Sequence, residues 1–204
     1  MKVFPGDNAL NPIDKIQSDR TEARKLGDTN ADICFLALAD SSGKASVRTL
    51  VLRDIIDNHF TLFINKSSPK WEALIGGANH ELLIWYASMQ RQYRISGTTR
   101  ELDQETVKRN WHRRPIGSKY LDYVYEQLGA QSTQINSRQV LTDKIKQLKS
   151  DVLADDMKPP SLVAGIEIIA DQIEMLDLNK EDRIHDRQIH TFDRSEWTSE
   201  ILIP

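Results

Sequence analysis

Two arginines close the ends of an apolar run in Arg48-Thr-Leu-Val-Leu-Arg53, and the next β-like run, Phe60-Thr-Leu-Phe-Ile-Asn65, opens into Lys66-Ser-Ser-Pro-Lys70. A guanidinium on an apolar strand carries ordering and desolvation costs unless it reaches water or an anion. The pattern therefore points to anion binding on a β scaffold. Simple alternation puts positions 48 and 53 on opposite faces, roughly 17 Å apart. That separation is too wide for one phosphate and suits two anions, or one anion and a polar ring edge. The ordinary alternative is that both arginines are solvated or paired with surface carboxylates.

Three further polar groupings bear on the choice. Gln92-Tyr-Arg-Ile-Ser-Gly97 starts a strand with a glutamine, which reads either as a solvated edge or as a ligand contact. Arg113-Arg-Pro-Ile-Gly-Ser118 combines guanidinium and hydroxyl groups at a helix junction, where free backbone N–H groups also favour anions. Arg183-Ile-His-Asp-Arg187, read as a strand, places Arg183, His185 and Arg187 on one face with Asp186 opposite, forming either a charged stripe or one wall of a polar site. Other chemistries find little to use. There is no nucleotide glycine fingerprint, phosphate loop or paired-histidine metalloprotease motif, and no nucleophile elbow. His185 and His190, five apart, fall on opposite faces if they share one strand, which argues against a shared metal.

The elements that must position these groups follow from periodicity. Pro12 opens an amphipathic helix over residues 13–26 that ends at Gly27. Residues 33–39, 45–53 and 60–65, separated by Asp40-Ser-Ser-Gly43 and Asp57-Asn58, predict three strands of a meander. A short helix over 69–75 closes at Gly76-Gly77, and strands follow over 81–87 and 92–97. A helical block covers 104–113, resumes after Ser118 and continues over 137–153. A loop over 155–160 then leads to strands 162–169, 172–176, 187–192 and 197–203. Many strands with helices between two strand groups favour a compact, mainly β barrel carrying helices, an α+β fold, over a parallel doubly wound sheet.

Composition sets the outer bounds. The 204 residues, 39% of them hydrophobic, suit a single domain spanning residues 1–204. A net charge of −3 with interspersed signs excludes the polycationic surface of a non-specific nucleic-acid binder. Cys34, the sole cysteine, lies in an apolar run and is expected in the core, so neither a disulfide framework nor a cysteine metal site is expected. No stretch approaches a membrane span and the N-terminus has no long apolar segment, so a cytoplasmic protein is expected.

Taken in order, Arg48-Thr-Leu-Val-Leu-Arg53, Phe63-Ile-Asn-Lys-Ser-Ser-Pro-Lys70, Gln92-Tyr-Arg-Ile-Ser-Gly97, Arg114-Pro-Ile-Gly-Ser118, Gln131-Ser132 and Arg183-Ile-His-Asp-Arg187 resemble the pyridoxamine 5′-phosphate oxidase family. The resemblance runs from about residue 30 to the C-terminal proline. It implies an FMN-binding split β-barrel that forms a homodimer with FMN between the subunits. By it, Arg48, Thr49, Leu50, Val51, Leu52 and Arg53 line the flavin, Phe63 and Ile64 contact it, and Lys70 helps hold its phosphate. Gln92, Gln131, Ser132 and Arg187 complete the FMN shell, some of them from the partner chain. Arg53, Arg114 and Ser118 meet the substrate phosphate, while Arg183 and His185 sit over the pyridine ring as the catalytic pair. The implied reaction is FMN-dependent oxidation of pyridoxamine or pyridoxine 5′-phosphate to pyridoxal 5′-phosphate, with dioxygen reduced to hydrogen peroxide and no metal.

The chain departs from the family pattern at several positions. Pro69 stands where a second basic residue is common, Arg53 where a lysine is usual, Asn110 in place of a phosphate-binding tyrosine, and Leu176 near the place of a flavin-contacting tryptophan. The N-terminal residues also lack the basic-aromatic segment that covers the substrate in family oxidases. These departures keep two alternatives open: a related FMN-dependent reductase or oxidase with another substrate, and a non-catalytic flavin- or pyridoxal-phosphate-binding protein. A structural β-barrel interaction module is a third class, and it would bind no ligand.

Overall fold

The computed structural model describes residues 11–153, 156–178, 181 and 183–204; the N-terminal segment and Asp155, where the expected loop begins, lie outside them. Helix α1, Pro12–Lys25, starts where Asn11 accepts a hydrogen bond from the Ile13 amide at 3.0 Å and Pro12 occupies the first turn, where no N–H is needed. Strands β1 (Ile33–Ala39), β2 (Ala45–Ile56) and β3 (His59–Asn65) form the expected meander. Helix α2 (Pro69–Ile75) leads to β4 (His80–Tyr86) and β5 (Arg91–Glu101). Helices α3 (Gln104–His112), α4 (Ile116–Gln127) and α5 (Arg138–Asp151) precede β6 (Val163–Asp177), β7 (Asp186–Asp193) and β8 (Glu196–Leu202).

The strand order is β3-β2-β1-β4-β5-β6-β7-β8, and a further β3–β6 pairing closes the first six into an antiparallel barrel. Closure removes the two sheet edges that would otherwise expose unpaired backbone groups. The fold is thus the α+β barrel expected from the sequence. Two details differ. The strands expected over 162–169 and 172–176 are one strand, β6, long enough to pair with β5 and β3 and then, from Gln172, with β7. Helix α4 begins at Ile116, two residues before Ser118, because Pro115 supplies the fixed φ of its N-cap.

Two compact units divide the described residues. In the first, from residues 11–62, 78–100 and 167–204, alternate residues Cys34, Leu36 and Leu38 of β1 and Leu82, Ile84 and Tyr86 of β4 are buried with Leu52, Phe60, Ile95 and Ile168. Gly97 is required there, since a Cβ at this position would lie 2.0 Å from the Ile169 carbonyl oxygen. In the second, from residues 63–77 and 101–166, the core is Leu102, Val107, Trp111, Tyr120, Val124, Leu148, Met157 and Val163. No described helix is long and apolar enough to cross a membrane.

Candidate functional site

In the second unit, β3 ends at Asn65 and the chain turns sharply. The Asn65 side-chain oxygen accepts from the Ser67 amide at 2.8 Å and the Ser67 hydroxyl at 2.5 Å, an Asx turn, while its carbonyl accepts from the Ser68 hydroxyl at 2.7 Å. Ser67 Oγ in turn accepts from the Gln131 amide at 3.0 Å. Lys70 Nζ donates to Gln131 Oε1 at 2.9 Å. Lys70 and Gln131, 61 residues apart in sequence and both expected to serve the cofactor, are therefore hydrogen-bonded to each other. Ser132 follows in the left-handed region at φ +78°, exposed. Phe63 is half-buried and Ile64 buried on the strand leading in. Asn65 Nδ2 is buried and has no partner among the described residues.

The same unit holds the second anion candidate. Arg114 lies between α3 and α4, and Ser118 sits half-buried in the first turn of α4. The Arg114 guanidinium donates to Asp122 Oδ2 at 2.6 Å, and Trp111 Nε1 donates to the same oxygen at 2.8 Å. Burial pushes the Asp122 carboxyl above the usual carboxylate range, and the Arg114 charge offsets only part of that. Asn110 is buried and turned back on its own helix, with Nδ2 donating to the Thr106 carbonyl at 3.0 Å.

In the first unit, β2 carries the opening arginine pair. Arg48 is exposed, stands opposite Leu36 in the register, and donates to the Val47 carbonyl. Thr49, Leu50 and Val51 pair with Phe35, Cys34 and Ile33. The expectation of opposite faces for 48 and 53 from simple alternation does not carry through to Arg53. The β2–β3 register shifts between Leu52 and Asp54, so Arg53 is the extra residue of a bulge, and Leu52 and Ile55, three apart, are both buried. Arg20 of α1 secures this bulge, donating to the Leu52 carbonyl at 2.5 Å and the Arg53 carbonyl at 3.4 Å. Arg53 Nε is buried and has no partner among the described residues, so the solvated reading fails for this atom.

Gln92 is half-buried on β5, opposite Trp85. Arg187 is the second residue of β7, opposite Leu176, and its guanidinium is held at both ends by Glu174, at 3.0 and 3.1 Å. Glu174 also receives Arg94, which is paired to Glu81 at 2.8 Å. The expected single face of Arg183, His185 and Arg187 is corrected here. The strand begins only at Asp186, and Arg183 has φ +62°, which breaks an extended chain, so period-two alternation does not relate Arg183 and His185 to Arg187. Arg183 is exposed and His185 half-buried. No group of three or more metal-ligating side chains occurs among the described residues.

Asn65, Ser67, Asp122 and Glu174 were not among the site residues chosen from sequence. The Asn-x-Ser-Ser order at a strand end is an Asx-turn signal and could have marked the first two. Asp122 and Glu174 reach their arginines across a helix break and across a strand pair, contacts with no local spacing to betray them.

No family model matches the chain. Among curated proteins, the pyridoxine/pyridoxamine 5′-phosphate oxidase of Erythrobacter litoralis is 30% identical over 194 residues, covering 91% of this chain and 86% of the relative. The chain belongs to the pyridoxine/pyridoxamine 5′-phosphate oxidase family. A Cyanothece oxidase of the same name is 27% identical over 194 residues, covering 95% of this chain and 89% of that protein. This family of oxidoreductases shares its fold with PhzG from Burkholderia lata, solved with tetrahydrophenazine-1-carboxylic acid, at a TM-score of 0.85 and 21% identity, over 100% of this chain and 98% of that one. A pyridoxamine 5′-phosphate oxidase-related, FMN-binding protein of Nostoc punctiforme superposes with a TM-score of 0.75 at 18% identity, over 96% of this chain and 99% of that one. The barrel of the oxidase family is the fold described above.

Proposed function

We propose that the protein is an FMN-dependent oxidase that converts pyridoxamine or pyridoxine 5′-phosphate to pyridoxal 5′-phosphate. The observation that carries this reading is the hydrogen-bonded set of Asn65, Ser67, Lys70 and Gln131, which offers a cation and a buried amide donor with no partner among the described residues. A buried donor without an acceptor costs about 1–3 kcal/mol, so Asn65 Nδ2 fits a phosphate-bearing ligand such as FMN. When bound, FMN supplies the redox chemistry, taking a hydride from the substrate and passing the electrons to dioxygen.

The protein's own contribution is position and charge. Lys70 and Gln131 hold the cofactor phosphate, with Arg48 and Arg53 along β2 and Gln92 on β5. Arg114 and Ser118 bind the substrate's anionic group. Arg183 and His185 orient the ring, and Arg183 acts as a fixed positive charge because a guanidinium keeps its proton at neutral pH. Arg187 serves the flavin through a guanidinium already fixed by Glu174. The assembly is a homodimer: Val47 and Val51 lie on one face of β2 and are 62% and 54% exposed, apolar surface of the kind that a second copy covers.

The test starts from the purified protein's flavin spectrum, followed by anaerobic mixing with pyridoxamine 5′-phosphate. Bleaching of the flavin supports the proposal, and protein that neither carries nor takes up flavin removes it. Arg183→Ala should slow bleaching at least tenfold while leaving flavin retention intact; parallel loss of both would contradict its orienting role. A second reading, oxidation or reduction of a different substrate, is favoured by the engagement of Arg114 with Asp122, and flavin without bleaching would support it.

A further inference from the structure

The Arg114–Asp122 pair is more than a surface contact. Both side chains are shielded, at 16% and 7% exposure, and Trp111, fully buried, donates its indole N–H to the same carboxylate oxygen that Arg114 binds. Asp122 is thereby held from two sides, and in a shielded setting an opposite charge at 2.6 Å cancels most of the field a guanidinium offers to anything else. Asn110, on the preceding helix, is turned back on that helix, one of its amide N–H groups donating to the Thr106 carbonyl at 3.0 Å.

We propose that Asp122 sets the anion preference of this subsite: by drawing Arg114 into a shielded ion pair, it makes the subsite suited to a singly charged group such as a carboxylate and only weakly selective for a dianionic phosphate. The inference rests on the assignment of Arg114 and Ser118 to the substrate's anion, and it favours the second reading above, a substrate other than a B6 phosphate. Asp122 is a positioning residue, acting through Arg114. Asp122→Asn keeps the size and an oxygen that can accept from Trp111 and Arg114, but removes the negative charge.

The measurement is a titration of the purified full-length protein with inorganic phosphate and, separately, with acetate at pH 7.5, following the Arg114 guanidinium by ¹⁵N NMR, with Arg114→Lys used for assignment. In the unaltered protein the two affinities should agree within about threefold; a preference for phosphate of about tenfold or more would overturn the proposal without any variant. In Asp122→Asn the phosphate affinity should rise about tenfold with acetate affinity nearly unchanged. Unchanged or weaker phosphate binding, or equal gains for both anions, would overturn it. A purely structural role for Asp122 would instead weaken both. Because neither arm measures turnover, failure of the oxidase reading, seen as flavin that does not bleach, stays separate from failure of this one.

Discussion

Gly97 gives the barrel a sharp quantitative test. A Cβ there would lie 2.0 Å from the Ile169 carbonyl oxygen, 2.8 Å from its carbon and 2.9 Å from Ala170 Cα, all backbone atoms that no rotamer change can move. Side-chain carbons essentially never approach within 3.0 Å, so Gly97→Ala must push the backbone at Ile169 by about 1 Å. The shift falls beside Ala170, whose amide and carbonyl exchange 2.8 Å hydrogen bonds with the Asn58 carbonyl and side-chain amide. Overpacking of this kind costs about 3 kcal/mol, which for a chain of 204 residues lowers Tm by about 6–12 °C. The control is Gly117→Ala in α4, where the added methyl meets nothing within 4 Å and helix propensity favours alanine by about 0.5–1 kcal/mol. Thermal and urea unfolding followed by circular dichroism should move the two variants in opposite directions. A Gly97→Ala protein with an unchanged midpoint would refute the close-approach argument.

Two other consequences are open to direct measurement. Cys34 is fully buried and its thiol is pushed up to about 12 by burial, so a thiol reagent at pH 8 should leave the native protein unlabelled and react fully once urea is added. Asp19 is raised by burial, but hydrogen bonds from Lys15, Tyr93 and Arg91 outweigh this and hold its carboxyl below the usual carboxylate range. Its folded pKa being depressed, its contribution is present above the unfolded value of about 3.9 and is lost as pH falls through the folded pKa. Urea midpoints measured downward from pH 5 should therefore fall less steeply in Asp19→Asn than in the unaltered protein.

The meander was legible because β1 alternates without interruption, with Cys34, Leu36 and Leu38 inward and Phe35 and Ala37 half-buried. The helices were legible from their ends, Pro12 at the start of α1 and Gly76-Gly77 at the close of α2 among them, since end chemistry is local. What escaped was non-local or broke the period. Asp171 and Gln172 are exposed within β6, and that polar pair reads as a gap, yet pairing partners on both sides keep the strand continuous. The bulge at Arg53 is set by its pairing with β3 and by Arg20 from α1, neither of which is visible in the run around it. The Lys70–Gln131 contact joins motifs that were recognised, whereas the acidic partners Asp122 and Glu174 belong to no motif and appeared only once the chain was folded.

Arg183 sits in a backbone well that disfavours its own side chain. At φ +62° an L-residue with a long side chain gives up about 1 kcal/mol or more relative to glycine, and asparagine or aspartate would also be better tolerated. A selection for thermal stability alone would therefore tend to remove this arginine, and with it the charge assigned to orienting the substrate. Stabilised libraries of this protein thus need an activity screen in parallel, because here the route to a tougher fold runs through the loss of the residue proposed to orient the substrate.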